Sequence, residues 1–125
     1  MAAVSFIPYK AQNKSALHRV MQYVGRDDKT EAKKFVSGIH CTPQLAYQEF
    51  AATREMYHKQ SPVWFYHYTQ SFSPEEHITP ELAHEIAGEF AAKAWSESEV
   101  LFATHVDREH IHTHFVVNAV CYESG

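Results

Sequence analysis

The feature that most restricts this chain is a strict alternation over residues 110–119. His110, His112, His114, Val116 and Asn118 fall on one parity, and Ile111, Thr113, Phe115, Val117 and Ala119 on the other. An extended strand, whose side chains point alternately to opposite faces, turns that pattern into one apolar face for a core and one face of imidazoles. Residues 100–106 read as a second strand, joined to the strand at 111–120 through Asp107-Arg108-Glu109-His110. An even-numbered loop centred between Arg108 and Glu109 sets His105 opposite His112 and Asp107 opposite His110. Opposed Cβ atoms in such a hairpin lie ~5 Å apart and diagonal ones ~7 to 8 Å, so His105, His112 and His114 can converge on one ion. An odd-numbered loop would turn His105 to the other face.

Three imidazoles with a coordination position left open make a catalytic metal site, because structural sites fill all four positions with protein ligands. Asp107 is placed to accept a ring N–H and fix a ligand tautomer. Asn118, on the histidine face, is placed to orient a substrate oxygen or another histidine. His110 is not assigned as a ligand. The competing reading is that several of these histidines are partly buried polar residues with no metal; an HxHxH face opposite a further histidine and an aspartate favours the metal.

Two chemistries suit such a metal. A hydrolase with metal-bound hydroxide needs a nearby base, yet the chain has no HExxH motif and Glu109 falls on the opposite face. The other chemistry uses a side-chain nucleophile while the metal polarises the electrophile. Tyr23 stands out among the seven tyrosines. It lies at a helix end in a basic segment, followed by Arg26, Lys29 and Thr30, although packing in the core stays open for it.

At 125 residues and 45% apolar, the chain fits one globular domain without an internal boundary. No apolar run approaches the ~20 residues of a membrane-spanning helix, and residues 1–4 lack a secretory leader, so a soluble, cytoplasmic protein is expected. Cys41 and Cys121 match neither a redox nor a zinc spacing and read as structural thiols. The net charge of −4 is uneven: seven basic residues face three acidic ones through His40, and four face twelve afterwards. A basic N-terminal segment could meet a phosphate backbone, or simply be a solvated face.

Residues 4–8 read as a first strand. Residues 15–24 read as a helix, with Ala16, Val20 and Val24 on one face and Gly25 as its stop. Thr42-Pro43 and Thr79-Pro80 each open a helix. The first runs to about His58. The second runs to about Trp95, with a stripe of Leu82, Ile86, Phe90 and Ala94 beside Ala83, Ala87 and Ala91. The aromatic stretch 64–72, bounded by Pro62 and Pro74, reads as a strand. The order β-α-α-β-α-β-β predicts an α+β domain: an antiparallel or mixed sheet with helices packed on one face and the histidine hairpin on the open face.

His105-Val106-Asp107 followed by His110-Ile111-His112-Thr113-His114-Phe115-Val116-Val117-Asn118 resembles the HxDxxHxHxHxxxN signature of plasmid relaxases. These are mobilisation nucleases of the HUH endonuclease class, in the branch that includes the agrobacterial T-DNA nicking proteins. Tyr23-Val24 with Lys29-Thr30 resembles the motif carrying the catalytic tyrosine, and 36–41 (VSGIHC) the segment after it. Gln70-Ser71-Phe72-Ser73-Pro74-Glu75 resembles the central SF-rich motif, and 79–85 the helix that follows. Thr113 and Glu76 depart from the pattern at positions that are neither ligand nor nucleophile.

The resemblance implies one relaxase catalytic domain over residues 1–125, and an N-terminal fragment of a longer member. It implies a metal-dependent endonuclease and transesterase that nicks a plasmid or integrative-element transfer origin and initiates conjugative transfer. Tyr23 would form a 5′-phosphotyrosyl intermediate, and His105, His112 and His114 would hold a divalent metal. The family points to magnesium or manganese, whereas three neutral imidazoles suit zinc, nickel or copper. Arg26 and Lys29 are the candidate DNA contacts. Implied partners are single-stranded or hairpin DNA at the origin, accessory relaxosome proteins and a type IV secretion coupling protein, in a bacterial cytoplasm without membrane insertion. The alternatives are a non-cleaving, metal-dependent DNA-binding module and a zinc hydrolase of a small substrate.

Overall fold

The computed structural model describes residues 2–107 and 110–125. The loop centre expected at Arg108 and Glu109, and Glu109 as a candidate base, lie outside the described residues. Five strands form one antiparallel sheet: β1 (Ala3–Ile7), β2 (Val36–Ile39), β3 (Phe65–Ser71), β4 (Val100–His105) and β5 (His112–Asn118). Their spatial order is β1-β3-β5-β4-β2, so the histidine strand β5 lies at the centre. The fold is α+β, as expected, and the β4–β5 register sets His105 opposite His112 and Ala103 opposite His114.

Three helices cover the sheet: α1 (Lys14–Val24), α2 (Ala46–Met56) and α3 (Pro80–Ala94). They do not share one face. Leu17, Val20, Met21 and Val24 of α1 and Phe50 of α2 pack on Phe65, Leu101, Ala103 and Val116, the parity that carries the histidines. Ala87 and Ala91 of α3 pack on Val100, Phe102, Phe115 and Val117 of the opposite parity. Topology supplies the reason. β1 runs parallel to β2, and β3 to β4, and both connections cross the sheet in the same direction from strands that point opposite ways. The right-handed preference of such crossovers then sends α1 and α3 to opposite faces. The histidine face is therefore half core, with only its upper end left for chemistry.

Strand β2 falls where no strand was expected. It has four residues and contains Gly38, which weakens any local strand signal. The glycine is needed for close approach, since a Cβ there would collide with the Cys41 carbonyl oxygen. On α3 the buried stripe is Ala83, Ala87 and Ala91, while Leu82 is exposed. Small side chains let this helix settle close to the aromatic face below it. Thr79 caps α3 through its hydroxyl, which accepts from Leu82 N–H at 3.1 Å. Thr42 opens a 3-10 turn over Pro43–Leu45 instead, without a side-chain cap. No helix among the described residues is long and apolar enough to cross a membrane.

Candidate active site

The site begins at the C-terminus of α1. Asn13 starts this helix by accepting from Ala16 N–H at 2.8 Å, and Gly25 ends it. The last carbonyls of a helix have no partner within it. One of them, Val24 O, accepts a hydrogen bond of 2.9 Å from His105 Nε2. That bond ties the helix end to β4 and sets Tyr23 over the imidazoles. Its ring centroid lies 5.8 Å from that of His105 and 5.9 Å from that of His114, edge-on to both. At 44% exposure Tyr23 is not a core residue.

The rings of His105, His112 and His114 stand 4.3 to 5.2 Å apart. One ring nitrogen from each lies within 4.8 Å of the others, and among the described residues this is the group able to hold a metal ion. Hydrogen bonds fix two of the tautomers. A carbonyl can only accept, so His105 carries its proton on Nε2, facing Val24 O, and His112 on Nδ1, facing His110 O at 3.1 Å. His105 Nδ1 and His112 Nε2 keep their lone pairs. His114 Nδ1 lies 2.8 Å from His67 Nε2, while His114 Nε2 is buried with no hydrogen-bond partner among the described residues. A buried, unanswered imidazole nitrogen is costly unless something takes its lone pair. Three neutral nitrogen donors, each oriented by a bond at the other ring nitrogen, fit a divalent metal.

The electrostatics agree. Burial first, then the charges of His105, His67, His112 and Lys29, push His114 down to about 2. Burial, then the charge of His105, pushes His67 down to about 4. Burial also lowers His105. His105, His114 and the adjoining His67 are thus held toward the neutral form, as ligation by an imidazole requires.

Several expected placements change. Asp107 does not accept an imidazole N–H; the protons of His105 and His112 go to backbone carbonyls, and His114 Nδ1 faces His67. It accepts from Lys29 Nζ at 3.1 Å, and Val106 N–H donates to Lys29 O at 2.7 Å, so Lys29 is bound to the hairpin. The Lys29 ammonium stands 5.4 Å from the Tyr23 ring centroid. Thr30 is fully buried and donates to Arg26 O at 2.8 Å, holding the loop that presents Lys29. Arg26 pairs with Asp28 at 2.8 Å on the surface. Asn118 is remote from the triad. Its Nδ2 donates to Phe50 O at 3.2 Å and to Glu99 Oε1 at 3.0 Å, and its Oδ1 accepts from Val120 N–H at 3.1 Å. It shares the face but lies four residues along the strand from His114, about 13 Å. His110 is exposed and serves through its carbonyl.

His67 was not singled out from the sequence. It lies in the aromatic strand β3 and aligns with Val116, which puts it on the histidine face. Strand parity within residues 64–72 marks it as one of two alternating sets, but only the β3–β5 pairing says that its set faces the triad. Cys41 and Cys121 are both free thiols. Burial, chiefly, raises Cys41 to about 12, which makes it inert.

Residues 23–125 match the family described as relaxase, MobA/VirD2-like, nuclease domain. The chain is 33% identical over 139 aligned residues to the group II intron-interrupted relaxase LtrB of Lactococcus lactis subsp. cremoris, covering 90% of this chain and 25% of that protein. It is 33% identical over 116 residues to the protein rlx of Staphylococcus aureus, covering 93% and 35% respectively. A second S. aureus rlx protein is 37% identical over 89 residues, covering 71% of this chain and 27% of its own. The chain spans about a quarter to a third of the length of the curated relatives it matches.

Proposed function

Because this chain belongs to the MobA/VirD2-like relaxase nuclease family, we propose that it is a metal-dependent DNA nicking and joining domain, with Tyr23 as nucleophile and His105, His112 and His114 as metal ligands. The observation that carries the reading is the position of Tyr23. A half-exposed phenol stands edge-on to two of three convergent imidazoles, held there by the bond from His105 to the carbonyl of the next residue.

In the proposed reaction Tyr23 Oη attacks the scissile phosphorus of a single strand at a transfer origin. The Tyr–O–P bond forms, the P–O3′ bond breaks, and the 3′ oxygen takes up a proton as the phenol loses one. The product is a 5′-phosphotyrosyl link and a free 3′-hydroxyl, and the reverse step reseals the strand. A divalent cation on the three imidazoles supplies charge stabilisation on the non-bridging oxygens. Lys29, anchored by Asp107, sets a second positive charge beside the phenol, where the phosphate would arrive. Magnesium or manganese is expected from the family, although neutral imidazoles favour zinc or nickel. The continuous sheet supports residues 1–125 acting as one catalytic unit. Accessory relaxosome proteins and a secretion coupling protein would act with it in a bacterial cytoplasm.

The test is incubation with labelled single strands from the candidate origin and Mn²⁺, Mg²⁺ or Zn²⁺, followed by denaturing electrophoresis. A covalent protein–DNA adduct that disappears with chelator and in Tyr23→Phe is the expected result. Strand binding without an adduct, from folded metal-loaded protein, would leave a non-cleaving binding module in its place. Hydrolysis that survives Tyr23→Phe would point to metal-bound hydroxide instead.

A further inference from the structure

The triad does not end at His114. His114 Nδ1 meets His67 Nε2 at 2.8 Å, and His67 Nδ1 meets the Tyr9 hydroxyl at 2.9 Å. Tyr9 is 38% exposed. It lines a surface cavity of about 250 Å³ together with Arg19, Val20 and Tyr23. Arg19 is exposed and makes no ion pair among the described residues. A hydroxyl and a guanidinium thus share a cavity with the phenol that the proposed function makes the nucleophile.

We propose that Tyr9, with Arg19, positions a DNA backbone phosphate next to the scissile one, and that metal loading of the triad aims the Tyr9 hydroxyl proton at it. The inference rests on the relaxase reading above and adds to it a phosphate site that is coupled to the metal.

Proton counting gives the coupling. A neutral imidazole has one N–H. With the His114 Nε2 lone pair used for a metal, the His114 proton is on Nδ1 and is donated to His67 Nε2. His67 then carries its own proton on Nδ1 and donates it to the Tyr9 oxygen. Tyr9 therefore acts as acceptor within the chain, and its O–H is released for a ligand in the cavity. Without metal, His114 can hold its proton on either nitrogen, and Tyr9 can spend its O–H on His67. The chain is held rigidly enough for this to matter: the Tyr9 ring meets Phe65 edge-on at 4.9 Å and stacks on His67 at 6.0 Å. Burial, then the charge of Tyr23, raises Tyr9, which keeps it a donor at neutral pH.

The experiment measures binding of a fluorescein-labelled single-stranded 25-mer by anisotropy, in a Tyr23→Phe background so that no bond is made, with Mn²⁺ and with chelator. Adding Tyr9→Phe is expected to weaken metal-loaded binding about tenfold, the value of one hydrogen bond to a charged oxygen, and to weaken metal-free binding by a clearly smaller factor. His67→Phe, which breaks the chain and leaves the Tyr9 hydroxyl in place, should lose the same metal-dependent increment. Calorimetric Mn²⁺ affinity of Tyr9→Phe should stay within about twofold, because Tyr9 is two bonds removed from the ligands. Unchanged DNA affinity in Tyr9→Phe, or an equal loss with and without metal, overturns the inference. Absence of a covalent adduct from the unmodified protein, with the metal-dependent Tyr9 effect intact, would count against nicking and leave this phosphate site standing.

Discussion

Asn118 shows how little a shared strand face says about what a side chain does. It lies on the face of His112 and His114, yet it is 2% exposed and its three hydrogen bonds tie α2, Glu99 and the turn after β5 together. Asn118→Ala would leave Phe50 O and the buried Glu99 carboxylate short of a donor. It should lower unfolding free energy by about 1–3 kcal/mol in urea titrations, while metal affinity of the folded protein is retained. The histidines make the opposite case, in which burial sets the chemistry. His67 and His114 fall from the ordinary 6.5 to about 4 and about 2. As pH drops below 6.5, the unfolded chain takes up protons that the folded, metal-free chain refuses. Its stability is therefore full above that value and declines through the window down to about 4 for His67, with His114 extending the loss below it. Urea midpoints of chelated protein at pH 7.5, 5.5 and 4.5 should fall in that order, and the slope should flatten in His67→Phe.

Among the elements, α3 depends on the small size of Ala83, Ala87 and Ala91, all with no exposure. Ala87→Leu drives a branched side chain into the Phe102–Phe115 layer beneath the helix. The expected result is a loss of about 1–3 kcal/mol in stability, with the triad on the other face still able to bind metal. Of the apolar face that the sequence shows on α3, the row of Leu82, Ile86 and Phe90 looks the stronger, yet Leu82 is exposed and Phe90 only flanks the core, while the alanines beside them form its centre. Contact distance reverses that, since a helix lying over aromatic rings needs alanine at its closest approach. The histidine hairpin, in contrast, could be read in advance. Its parity is legible in the sequence, and of the two registers an even or an odd loop would give, the structure shows the even one, His105 against His112. Strand β2 could not be read, being four residues with a glycine at its centre.

The described residues do not gather the strongly basic surface that a tight, nonspecific DNA binder would show. Much of the N-terminal positive charge is answered locally, by Arg26 with Asp28, Lys33 with Asp27 and Lys34 with Glu81. Exposed pairs of this kind add little stability, but they leave few cations for phosphates. With Arg19 and Lys29 each neutralising one phosphate, log K for a single strand should fall against log salt with a slope of about −1.4. Anisotropy titrations from low to high salt check this, and a slope near −5 would require about seven phosphate contacts. The sequence by itself determined the histidine parity, the end of α1 beside Tyr23 and the Thr79 cap, because these follow from backbone periodicity and hydrogen bonding within a few residues. The tertiary structure alone decided which face each helix covers, that Val24 O receives His105 across 81 positions, and that His67 meets His114 across 47. Those contacts depend on strand order and crossover side, which are set by burial over the entire sheet and leave no local pattern in the chain.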